Sequence, residues 1–166
     1  QLKEFDGKKL KSVGKGTVDL GSKDEREKAE EELKKQSTEY SGLLELLQKK
    51  LDEHVKEVRL SNRLTSSPVC LVTSEQDYSP QLERLLQQSQ GSAPKQKRIM
   101  ELNPKHQILT TLMEYYNKDK EDQLLSDYAQ LLFGQALLAE GTELPEPAAF
   151  SRLVAELMVR TLPAAE

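Results

Sequence analysis

Val55-Lys56-Glu57-Val58-Arg59-Leu60-Ser61-Asn62-Arg63-Leu64 is the stretch on which the fold turns. Val58, Leu60 and Asn62 alternate with Arg59, Ser61 and Arg63, the period of two that marks a half-buried strand with its arginines on the wet face. The turn residues Thr65-Ser66-Ser67-Pro68 follow, and then the short apolar run Val69-Cys70-Leu71-Val72. Two strands so close in sequence predict an antiparallel pair. Residues 98–102 predict a third strand.

Helical signals surround these strands. Upstream, Ser22 with Glu25 three residues on forms a capping-box pattern that opens a helix running towards Val55. Its first half, 24–36, has almost no apolar face and should project into solvent. In its second half Tyr40, Leu43, Leu44, Leu47, Leu51 and Val55 repeat at helical spacing. Downstream, residues 75–88 predict a short amphipathic helix, with Asp77 or Ser79 as cap and Pro80 in its first turn. Tyr78, Leu82, Leu85 and Leu86 form its narrow apolar stripe. Asn103-Pro104 predicts another start, Asn as cap and Pro at the first helical position, with Ile108, Leu109, Leu112, Met113 and Tyr116 on one face.

Two helices, about 119–140 and 146–162, close the chain, and the short 141–145 linker favours antiparallel packing. Phe150, Leu153, Val154, Leu157, Met158 and Thr161 form one wide stripe. Leu124, Leu125, Tyr128, Leu131, Leu132, Ala136 and Leu138 cover more than one face of the preceding helix. A single hairpin cannot shield both, so two copies pairing as a four-helix bundle is the expected solution. The expected interface is Leu124, Tyr128, Leu131, Leu132, Gln135, Leu138, Phe150, Leu153, Val154, Leu157, Met158 and Thr161. The fold class is α+β: a small three-stranded sheet with flanking helices and a terminal helical hairpin. Residues 1–20 are expected to be a linker or the tail of a preceding domain, and 21–166 the pairing domain.

Composition narrows the function. Of 166 residues, 36% are hydrophobic and 31% charged, and the net charge is −4. A mean hydropathy of −0.67 with leucines gathered into stripes fits elongated helices or surfaces kept for a partner. The acidic balance, with basic residues interleaved among acidic ones, argues against nucleic acid as a partner. The single cysteine, Cys70, excludes an internal disulfide and fits a reducing compartment. No apolar run approaches the roughly 18 residues of a membrane span. The chain begins at Gln1 without an initiator methionine, which points to a piece of something larger.

No convergent catalytic or metal-binding set is visible. His54 and His106 pair with no nucleophile or ligand set in sequence, which leaves surface or capping roles, and Cys70 sits in an apolar run as an unreactive thiol. The glycine- and lysine-rich stretch 7–17 fails as a phosphate loop. Six residues separate Gly7 from Gly14, and Gly16 stands between Lys15 and Thr17. No catalytic, cofactor or metal residue is therefore expected.

Four stretches carry a resemblance: Phe5-Asp6-Gly7-Lys8, the 55–64 run, Glu101-Leu102-Asn103-Pro104-Lys105-His106, and Gln135-Ala136-Leu137-Leu138-Ala139-Glu140-Gly141. In that order and spacing they resemble the carboxy-terminal region of the heat-shock protein 90 family of molecular chaperones, in its bacterial branch. The resemblance implies a homodimerising, client-contacting domain of an ATP-driven chaperone in stress response. ATP and magnesium would be handled by an amino-terminal domain outside this chain. Implied partners are a second copy and unfolded clients, with no membrane and a cytoplasmic setting, bacterial or organellar. The residues of the 75–88 stripe alone fit docking on the chain's own sheet, whereas the resemblance implies client contact on Tyr78, Leu82, Leu85 and Leu86. Many relatives carry an acidic residue where this chain has Gly134, so a close helix neighbour is expected there. The ending Leu162-Pro163-Ala164-Ala165-Glu166 departs from the acidic co-chaperone peptide of eukaryotic cytosolic members. The competing class is a stand-alone helical adaptor with residues 22–55 as a coiled-coil arm, but its apolar repeat lasts only about two heptads, fewer than a stable coiled coil needs.

Overall fold

The computed structural model describes residues 4–5, 8–9, 23–74 and 96–161, with side-chain surroundings for 28–74 and 96–161. Near the start, β1 (Glu4–Phe5) pairs antiparallel with β2 (Lys8–Lys9), Phe5 opposite Lys8. The expected cap at Ser22 and the whole 75–88 helix, including Tyr78, Leu82, Leu85 and Leu86, lie outside the described residues.

The expected continuous helix is two: α1 (Lys23–Glu39) and α2 (Ser41–Lys50), joined at Tyr40. At the joint the Thr38 hydroxyl donates to the Lys34 carbonyl and the Ser41 hydroxyl to the Thr38 carbonyl, back-bonding that bends helices. The chain then leaves the helix earlier than its apolar spacing predicts. Leu51 caps α2, its carbonyl accepts from the His54 and Val55 amides, and Val55 opens the next strand. Leu51 and Val55 are still buried, which is why they mimic a helical stripe. Nor does α1 stand free in solvent: Ala29, Leu33 and Gln36 are half-buried. With Glu32 they line a cleft whose other wall is Ser61, Asn62, Leu64 and Asn103–Lys105.

The sheet holds β3 (Val55–Leu60), β4 (Val69–Val72) and β5 (Arg98–Leu102). Its order corrects the expected β3–β4 hairpin. β5 lies between them, parallel to β3 and antiparallel to β4. The link between β3 and β4 is held as a loop instead: the buried Asn103 side chain donates from Nδ2 to the carbonyls of Thr65 and Ser67. Asn103 is therefore not a helix cap. Its Oδ1 accepts from the Lys105 amide, and His106 caps α3 (Gln107–Lys118), Nδ1 accepting from the Ile108 amide. A capping role for a histidine is among those its sequence position allowed.

The register puts Val58, Met100 and Leu71 in one row and Leu60, Leu102 and Val69 in the next, so one sheet face is apolar. It shares one core with Leu43 and Leu47 of α2, Leu109 and Leu112 of α3, and Leu125, Ala129, Leu132 and Phe133 of α4 (Gln123–Glu140). The last helix, α5 (Pro147–Thr161), packs on α4. Among the described residues no helix is long and apolar enough to cross a membrane.

Candidate self-association site

The terminal hairpin is built by local signals. Asp122 caps α4, its carboxylate accepting from the Leu124 amide at 2.9 Å. At the other end Gly141 takes φ 72°, and its amide reaches the Leu137 and Leu138 carbonyls. Only glycine enters that left-handed turn without steric cost. Thr142 adds a bond to the Leu137 carbonyl at 2.9 Å, and Pro147, whose missing amide costs nothing at a first helical position, opens α5. The helices meet closely at Gly134, as the sequence predicts for a glycine in mid-helix. A β-carbon there would overlap the Phe150 ring, 2.6 Å from Cε2.

The two helices use their apolar residues differently. α4 buries eight residues, among them Leu125, Leu131, Leu132, Phe133 and Leu137, because it lies between the sheet layer and α5. α5 buries only Leu153. Of the sequence-predicted interface, Leu131, Leu132 and Leu153 are covered inside the protomer at 9%, 3% and 7% exposure. Leu124 and Tyr128 are half-buried against the same core. Phe150, Val154 and Leu157 are half-buried, Gln135 and Thr161 exposed, and the Thr161 hydroxyl bonds back to the Leu157 and Met158 carbonyls. Leu138 is 53% and Met158 62% exposed. Sequence reasoning missed Val159, 70% exposed, because it falls off the stripe. Among the described residues, three of the four exposed large hydrophobic residues (Tyr115 is the fourth) therefore sit on this hairpin.

A second cluster has the residue types of chemistry but not the arrangement. The register sets Arg59, Glu101 and Cys70 side by side across all three strands, on the face away from the core. Arg59 donates from Nη2 to Glu101 Oε1 at 2.8 Å, Arg63 from Nε to Oε2 at 2.6 Å, and Arg63 Nη2 to Cys70 Sγ at 3.1 Å. Burial works to raise the Glu101 carboxyl. The hydrogen bonds and charges of the two arginines outweigh it and hold the group below the usual carboxylate range. Burial pushes the Cys70 thiol up to about 11, with the Arg63 charge opposing and Glu101 adding to the rise. A thiol so protonated is a poor nucleophile, so the cluster ties strands together. His54 stacks on Phe133, centroids 5.1 Å apart. Among the described residues no group of three or more His, Cys, Asp and Glu is placed to hold a metal ion.

Comparison with known proteins fits this fold into a family. The family model described as "Hsp90 protein" matches residues 1–166, the entire chain. The chain belongs to the Hsp90 family. Its relatives include the chaperone protein HtpG of Frankia casuarinae, 46% identical over 162 residues and 98% of this chain. The HtpG of Mycobacterium avium is 47% identical over 96% of this chain, and that of Geobacter sulfurreducens 45% over 95%. This Hsp90-family chain spans about a quarter of each of those relatives (25%, 24% and 24% of their lengths).

Proposed function

We propose that this chain is the carboxy-terminal self-association region of a chaperone, two copies pairing through their α4–α5 hairpins as a four-helix bundle. The observation that carries the reading is the apolar surface left uncovered on the hairpin by Leu138, Met158 and Val159. An α5 that buries one residue in its own protomer is held weakly until a second apolar layer covers it. The partner is a second copy, since an antiparallel hairpin with the same stripe satisfies itself about a two-fold axis. Membership in the Hsp90 family supports the same reading. Unfolded or partly folded proteins are the proposed clients, met by the 75–88 stripe. ATP and magnesium are assigned to other parts of a longer, cytoplasmic protein. Neither nucleic acid nor membrane is a proposed partner.

Sedimentation equilibrium at micromolar concentrations tests the reading. The chain should fit a monomer–dimer equilibrium, and Leu138→Asp with Met158→Asp should run as a folded monomer. A double variant that still sediments as a dimer would overturn the assignment of the face.

A further inference from the structure

We infer that Gly134 and Phe150 are the positioning pair that sets how α5 is presented for pairing, an inference that rests on the self-association reading above. The glycine is not explained by backbone conformation. Gly141 is the one described glycine with positive φ, and glycine is a poor choice in mid-helix. What position 134 requires is space. Any β-carbon there would overlap Phe150 Cδ2, stand 2.6 Å from Cε2 and 3.3 Å from Leu144 Cδ2. Close-packed interiors do not absorb such overlap, so the helices must separate if a side chain enters.

The consequence reaches the exposed face by helical geometry. Gly134 and Leu138 stand at i and i+4 on α4, and Phe150, Val154 and Met158 at i, i+4 and i+8 on α5. Residues so spaced share one side of a helix, so the notch and the uncovered residues lie along the same edges of both helices. A ring pushed out of the notch displaces Met158 relative to Leu138. Among the described elements α5 packs chiefly on α4, so its placement follows that contact. The sheet core is built from other residues and should not register the change. Gly134 and Phe150 thus set the spacing of the two halves of the pairing face without having to touch the partner.

Sedimentation equilibrium of the 166-residue chain, with hydrogen-exchange protection of the β5 amides read on the same samples, tests the pair. Gly134→Ala should weaken pairing about tenfold or more in Kd through overpacking, and Phe150→Ala should weaken it comparably by removing the anchor. β5 protection should match wild type in both. Adding Phe150→Leu to Gly134→Ala should recover part of the lost affinity, because the smaller side chain clears the new methyl group. Wild-type affinity in either single variant overturns the inference, as does a double variant no better than Gly134→Ala. So does loss of β5 protection, which would make the contact part of the common core. A wild-type chain that stays monomeric overturns the self-association reading itself, and this inference with it. A pairing wild type beside unaffected variants overturns the positioning pair alone.

Discussion

Replacing Glu101 by Gln perturbs the most buried charged residue among those described. Its side chain is 4% exposed and takes three guanidinium hydrogen bonds, two from Arg59 and one from Arg63. Gln keeps the shape but removes the charge, and turns one acceptor into a donor facing an arginine. A hydrogen bond to a charged group contributes about 1.5–3 kcal/mol. Arg59 is 36% and Arg63 23% exposed, so both regain water when released and the gross sum must be discounted. A cost of about 2–3 kcal/mol at pH 7 remains, or roughly 5–10 °C in Tm for a domain of this size. The sign with pH follows from the depressed carboxyl. Its contribution is fully present above the unfolded glutamate value of about 4.3 and is lost as pH falls through the lower folded value. Urea unfolding of both proteins at one fixed concentration, at pH 7 and again near pH 3, reads the difference directly. The gap between wild type and Glu101→Gln should be wide at pH 7 and shrink in acid. A gap below about 0.5 kcal/mol at pH 7, the size of an ordinary surface change, would refute the reasoning, and so would a gap equal at both pH values.

Gly141→Ala should destabilise the hairpin by about 1 kcal/mol, and Gly141→Asn by less, because the left-handed cap tolerates Asn; urea midpoints decide. Cys70 should react with iodoacetamide at pH 8 on the order of a hundredfold more slowly in the folded chain than in urea, given its raised pKa, and equal rates would contradict the buried thiol. Calorimetric titration of this chain with ATP and magnesium should give no saturable heat. In the longer chaperone proposed above, Leu82→Ser with Leu86→Ser should weaken suppression of client aggregation while the melting temperature holds. A large loss of stability with unchanged protection per folded molecule would place that stripe in the core instead.

Most of the described elements were legible from periodicity, though the expected helix running towards Val55 is two helices that end before it; the neighbours of these elements were not. Residues 98–102 show as a strand in the sequence, yet nothing local says that this strand sits at the centre of the sheet. Its Arg98 and Glu101 disguise a strand buried at every position. Adjacency in sequence suggested a β3–β4 hairpin because the contacts that hold the 61–68 loop open come from Asn103 and Glu101, about forty residues away. The terminal stripes were equally plain, but a helical stripe names a face and not the neighbour that covers it. Leu132 and Leu153 turn inward to the protomer while Leu138 and Met158 remain uncovered. Gly134 was readable because a glycine in mid-helix asks for a close neighbour, and Phe150 is that neighbour.

Pairing through the hairpin is tested most directly by isotope-filtered NOE spectroscopy on a mixed sample of carbon-13-labelled and unlabelled chain, which records only contacts between copies. The methyl groups of Leu138, Val154 and Met158 should show intermolecular contacts, and those of the core residues Leu43 and Leu47 none. A dimer whose contacts between copies arise on α1 or elsewhere, with Leu138 and Met158 silent, would contradict the account.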